Sequence, residues 1–334
     1  MKAIVLGGNG FVGMNVVRAL VRSGHEVTAT RRERSNTLFA RKLGAKLVHA
    51  DQDDVIALTD AMRGHDVVFN CAAHYPRYSL ERQAEVELGR RRTRNSVQAA
   101  LRAGAGRYVL TSSVATCGPP AAGRSLSNED DTPGQRASLC TYHAVKLAIE
   151  AEVLGAIEQG LDAVVLCPTG VMGELDVKAG TGFVIVAMAH GRLPVYVDGR
   201  TNIVDADQMA DAHVAAAQRG RTGQRYILAG ENTTVRELLE IVAAELGVGL
   251  SAQRLPAWLA GPLATMDELR CAAEPGRPRR FLAREFVDIV QFGLWVDGRK
   301  ARRELGIVAP IPLFETIRKA CTWYERHRYL EPSA

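Results

Sequence analysis

The chain opens on a short apolar run, Met1-Lys2-Ala3-Ile4-Val5-Leu6, that breaks into Gly7-Gly8-Asn9-Gly10-Phe11-Val12-Gly13. Beyond the break, Val16, Val17, Leu20 and Val21 recur at helical spacing, and Ser23-Gly24 supplies a C-terminal stop. The pattern predicts a strand, a tight turn and a helix. Glycines at 7, 10 and 13 let the backbone turn sharply, approach a pyrophosphate closely and pack helix on strand, with the helix N-terminus directed at the phosphates. An ordinary glycine-rich turn is the plainer alternative, but a second strand follows directly, as a nucleotide-binding unit requires. Gly7, Asn9, Gly10, Phe11, Val12 and Gly13 are therefore the expected dinucleotide contacts of the turn.

The second strand, His25-Glu26-Val27-Thr28-Ala29-Thr30, ends in Arg31-Arg32, where an NAD-specific site would place an acid for the ribose hydroxyls. Guanidinium groups at this place can fork onto a 2′-phosphate, so NADP(H) is expected in preference to NAD(H). A solvated Arg pair, partly offset by Glu33, is the alternative.

Strands and helices then alternate. Lys46–Ala50 runs into Asp51-Gln52, Asp66–Asn70 into Cys71-Ala72-Ala73, and Arg107–Leu110 into Thr111-Ser112-Ser113, with helical stretches near 53–63, 85–103 and 142–159. Ala163–Cys167, followed by Pro168, and Arg225–Ala229 extend the series. The order predicts an α/β fold, a doubly wound parallel sheet that binds ligands at the carboxyl ends of its strands. Asp51, Gln52, Ala72, Ala73, Thr111, Ser113 and Pro168 fall at such ends. Residues 1–168 and about 200–230 are assigned to the nucleotide-binding domain, and about 169–199 and 231–330 to a smaller C-terminal lobe. In that lobe a Thr N-cap opens a helix through Leu238 and Ile241, and Leu255, Trp258, Leu259, Leu263, Phe281 and Phe292 are expected in its core.

Tyr142 and Lys146 are four apart, so they share a helix face. An ammonium beside a phenol favours the phenolate and brings its pKa toward the working pH, as acid/base chemistry on an alcohol or carbonyl requires. A plain helix-surface pair would have the same spacing. His143, one residue on, is expected to turn away from that face. His74 and Tyr75, just past the fourth strand, are candidate substrate contacts, although a lone His there also suits a hydrogen-bonded loop.

A net charge of +5, spread over clusters such as Arg90-Arg91-Arg92 without interleaved aromatics, argues against nucleic-acid binding. The six cysteines show no paired metal spacing, so no metal site is expected, and they suit reduced core thiols. No apolar run approaches the length of a bilayer span, and a cytoplasmic location is the expectation.

The glycine turn, Asp51 and the Ser113/Tyr142/Lys146 set together resemble the extended short-chain dehydrogenase/reductase superfamily. Tyr108–Thr116, Pro194–Asp198, Arg225–Asn232 and Arg302–Gly306 resemble its dihydroflavonol-4-reductase-like branch, near the hopanoid-associated sugar epimerases. The resemblance implies a Rossmann fold with a substrate-binding lobe, and Ser113, Tyr142 and Lys146 as catalytic residues. Tyr142 would exchange a proton with the substrate oxygen, Lys146 would lower its pKa and bind the nicotinamide ribose, and Ser113 would bond the reacting oxygen. Asp51 and Gln52 would lie near the adenine, Ala72, Ala73 and Thr111 along the cofactor, and Pro168, Thr169 and Val171 beside the nicotinamide.

Two positions depart from the family pattern. Leu6 and Asn9 replace a Thr and a small residue in the turn, and Gly89 stands where an Asn normally orders the active-site helix and a relay water. The expected activity is NADPH-dependent reduction of a ketone or aldehyde, or its reverse, on a small-molecule substrate. A sugar-nucleotide epimerase or dehydratase with retained NAD(P), and a non-catalytic NADP(H)-binding sensor, are the alternatives. By analogy, helices 85–103 and 142–159 would form a homodimer seam.

Overall fold

The computed structural model describes residues 1–33, 37–76, 80–273 and 283–331. The first half alternates β1 (Lys2–Leu6), α1 (Phe11–Arg22), β2 (Glu26–Arg31), β3 (Lys46–His49), α2 (Val55–Met62), β4 (Val67–Asn70), α3 (Arg82–Ala103), β5 (Arg107–Thr111), α4 (Gln135–Leu139), α5 (Thr141–Gly155) and β6 (Ala163–Pro168). There follow β7 (Gly170–Met172), α6 (Phe183–Ala189), β8 (Val195–Tyr196), β9 (Arg200–Asp205), α7 (Ala206–Arg219), β10 (Arg225–Leu228) and β11 (Glu231–Thr234). The chain closes with α8 (Val235–Leu246), β12 (Gln253–Arg254), α9 (Ala257–Ala273), α10 (Arg284–Gln291), α11 (Arg299–Leu305) and α12 (Leu313–Arg326).

Seven strands form one sheet in the order β10-β6-β5-β4-β1-β2-β3, every pair parallel. The period of two along β1 sends Ala3 and Val5 into one core, with α1, α7 and α11, and Ile4 and Leu6 into the other, with α2, α3 and α5. Both faces are thus covered, which is why the strands read as unbroken apolar runs. The sequence order reverses between β1 and β4, and the crevice opens above their carboxyl ends.

Over that crevice lies a second unit. β7, β9 and β11 form a three-stranded sheet, β8 pairs with β12, and α6, α8 and α12 pack a separate core around Ile185, Leu239 and Ile317. The Thr N-cap expected near the start of α8 is Thr234, which forms a reciprocal capping box with Glu237. The lobe-core expectation needs correction at α9: Trp258 is 77% exposed and Leu263 41%, because α9 turns that face outward and packs through Ala260 and Ala264 instead. Phe281 lies outside the described residues.

Candidate active site

The turn after β1 is built by steric necessity at three glycines. Gly7 adopts φ +71°, and a Cβ on Gly13 would meet the Gly7 carbonyl oxygen at 2.2 Å. Gly8, which the sequence did not single out, is equally constrained, since its Cβ would lie 2.5 Å from that of Ala29 on β2. Gly10 is different. Its Cβ would stand 3.4 Å from the nearest protein atom, so the need for glycine there comes from whatever approaches α1. No side chain caps α1 and its first turn holds no acid, so the amides of the helix start are left to an anion in the crevice. The hydrogen bond lost with Leu6 is recovered from β2, where Thr30 Oγ1 accepts from Gly7 N–H at 3.1 Å. Asn9 keeps a negative φ, so its tolerance of unusual angles is not used.

Asn9, Gly10, Phe11, Val12, Arg32, Asp51, Ala73, Thr111, Pro168, Thr169 and Val171 line one continuous cavity. Gly7, Gly13, Arg31, Gln52 and Ala72 do not. Arg31 turns its Nη1 onto the carbonyls of Arg32 and Glu33, Gln52 reaches Asn70, and Ala72 packs beneath Gly7. The Arg pair therefore divides, with Arg32 alone facing the crevice, where His49 joins it. Thr111 is fixed from below: Met209 O can only accept, so His213 carries its proton on Nδ1, and Nε2 accepts from the Thr111 hydroxyl at 2.9 Å.

Ser113, Tyr142 and Lys146 converge at the middle of this cavity. Tyr142 Oη donates to Ser113 Oγ at 3.1 Å, and Lys146 Nζ lies 5.8 Å from the Tyr142 ring centroid. The adjacent Ser112 is committed elsewhere, donating to Glu150, whose carboxylate also pairs with Arg225 from β10. Burial raises the Tyr142 pKa, with Ser113 pulling the other way, and holds Lys146 down at about 8. The expected lowering of the phenol by its lysine is thus absent in the protein alone, because the ammonium is itself desolvated and stands beside the ring and not at the hydroxyl.

The cavity encloses about 1500 Å³ and continues past Tyr142 into the second unit, between β9, α8 and α10. The profile of the family described as NAD dependent epimerase/dehydratase matches residues 3–229. The chain belongs to that family. A Synechocystis sp. protein provisionally named dihydroflavonol 4-reductase is 31% identical over 98% of this chain and 95% of its own. The 2-alkyl-3-oxoalkanoate reductase of Stenotrophomonas maltophilia is 29% identical over 96% of this chain and 98% of its own. The crystal structure of a nucleoside-diphosphate-sugar epimerase from Pseudomonas aeruginosa superposes with a TM-score of 0.78 at 27% identity, covering 98% of this chain and 99% of that one.

As an extended short-chain dehydrogenase/reductase of this epimerase/dehydratase family, the protein is an NAD(P)-binding enzyme with a Rossmann core. Its residues fit the dinucleotide: the uncapped α1, the open side of Gly10 and the polar end formed by Arg32 and Asp51 lie in one groove. Gly89 is explained by packing, since its Cβ would press to 3.1 Å from Val145 Cγ1, and Ile149 closes the other side. One turn earlier on α3, Glu85 bonds His74 Nε2. That pairing draws the His74 ring onto α3, and His74 is not among the residues that line the cavity. Tyr75 does line it, with its ring 5.2 Å from that of Tyr142. His143 also lines it, contrary to the helical-wheel expectation, because Phe292 of the second unit folds over the start of α5. Among the described residues no group of three or more His, Cys, Asp or Glu could hold a metal, and no helix is long and apolar enough to cross a membrane.

Proposed function

We propose that the protein is an NADPH-dependent reductase of a ketone or aldehyde carried on an apolar body. The observation that carries this reading is the Tyr142–Ser113 hydrogen bond in the middle of a cavity whose buried far wall is Leu193, Val197, Ile203, Leu238, Leu239 and Val287. A nucleoside-diphosphate sugar would want buried cations for its phosphates. Among the described residues lining this half, the cations Lys178 and Arg200 are exposed. The names of the two relatives, both reductases, support the same direction.

In the protein-side chemistry, Ser113 Oγ orients the substrate oxygen and Tyr142 Oη gives it a proton, with the Lys146 ammonium stabilising the phenolate that forms. A nicotinamide cofactor bound at α1 supplies the hydride. Tyr142→Phe is expected to lower kcat by about 10³-fold or more while NADPH affinity changes less than about threefold, measured by steady-state kinetics and fluorescence titration. Undiminished turnover would sink the reading. The cofactor preference rests on Arg32: Arg32→Ala should weaken NADPH by about tenfold and NADH little, whereas Arg31→Ala should barely alter the ratio.

An epimerase is the second reading, favoured by the family description and the Pseudomonas aeruginosa neighbour. It would turn over a nucleotide sugar without net consumption of NADPH. The reductase reading extends to a homodimer through α3 and α5, where Arg90 and Arg94 are offset by Glu152, and Arg91 and Arg92 by Asp53. Sedimentation at micromolar concentration tests it, a monomer counting against.

A further inference from the structure

His143 is 3% exposed and follows Tyr142 directly. Its ring stands edge-on to Tyr142, centroids 6.0 Å apart, and edge-on to Phe292 at 5.8 Å. Among the described residues the imidazole has no hydrogen-bond partner, and Nδ1 is sealed from solvent. A buried polar ring without a protein partner is rare in a folded protein and calls for water, an ion or a ligand to complete its bonding. This ring borders the cavity at the junction between the Tyr142/Ser113 end and the apolar wall.

The chemistry of the missing partner follows from the ring. Burial holds the imidazole down at about 4, so it is neutral at physiological pH and offers one donor and one acceptor. A sealed N–H without a partner is rarer than a sealed acceptor, so Nδ1 is the bare nitrogen and Nε2 carries the proton. The edge left for the cavity is a neutral donor.

We propose that His143 reads the substrate, its Nε2–H donating to a neutral oxygen, hydroxyl or carbonyl, carried close to the reacting carbonyl of an otherwise apolar ketone. The inference rests on the reductase reading and narrows its substrate to oxygenated ketones. Anions are disfavoured, since a carboxylate would be stripped of water against an apolar wall with a single neutral donor to replace it. A nearby aliphatic ketone lacking the second oxygen would leave the imidazole unpaired in the closed complex.

The experiment compares propiophenone with 2-hydroxypropiophenone by calorimetric titration into the NADP+-loaded protein, which cannot reduce them, and in parallel by kcat/KM with NADPH. The wild type should favour the hydroxyketone by about tenfold in both measurements. His143→Phe, which keeps the edge-on packing against Tyr142 and Phe292, should bring the ratio to about one, and His143→Gln, which keeps a donor, should restore part of it. Saturation with the hydroxyketone should also shift the ¹⁵N resonance of His143 Nε2, a readout that needs no variant. A ratio of one in the wild type, a ratio unchanged in both variants, or a nitrogen that does not move would overturn the proposal. Binding preference without any turnover would instead overturn the reductase reading and leave the role of His143 standing.

Discussion

Lys146 is held far from its reference state. Burial, only partly offset by Glu150 and Cys167, brings its ammonium to about 8, so the charge that stabilises a Tyr142 phenolate is present below that pH and disappears above it. kcat/KM for NADPH reports groups of the free enzyme. In the reductive direction it should hold level to about pH 7 and fall tenfold per unit well above 8; a profile flat to pH 10 would remove Lys146 from the mechanism. The Tyr142/Lys146 pairing was visible in the spacing because both ends belong to one helix. The role of Ser112 was not, since its partner Glu150 and the further Arg225 are 38 residues away and beyond in sequence and meet it only in the folded core.

At the level of elements, the β1–α1 turn separates two demands on glycine. Gly13→Ala forces a Cβ into the Gly7 carbonyl and should cost about 2 kcal/mol or more of stability together with the cofactor site. Gly10→Ala meets no protein atom closer than 3.4 Å, so thermal unfolding should stay near that of the wild type while NADPH affinity drops at least tenfold, checked by calorimetry on both variants. The α3–α5 contact makes a parallel case. Gly89→Asn, although it restores the residue usual in the family, should destabilise by roughly 1–3 kcal/mol, because Val145 and Ile149 occupy the space the side chain needs. A gain in turnover from that variant would show that the packing account is incomplete. The strand-turn-helix unit was legible because its signals are local, whereas the reason for Gly8 lies on the neighbouring strand at Ala29.

For the whole molecule, the central sheet is tied to α7 through His213, which is fully buried, joins Met209 to Thr111 and is held by desolvation at about 4. The unfolded chain takes up this proton near 6.5, so stability should be complete above that pH and decline as pH falls toward 4, by about 3 kcal/mol from this one group. Thermal unfolding between pH 7 and 4 should show the decline, with a smaller slope in His213→Gln. Equal slopes would assign the acid sensitivity to other groups. The same long-range assembly places the second unit over α5, bringing Phe292 against His143.

The sequence by itself determined the α/β order, the nucleotide turn and the Tyr142/Lys146 face, because each depends on periodicity or spacing within one or two adjacent elements. Tertiary structure alone decided which Arg faces the crevice, where His74 and His143 turn, and how apolar the far wall is, because those depend on side chains brought together from opposite ends of the chain.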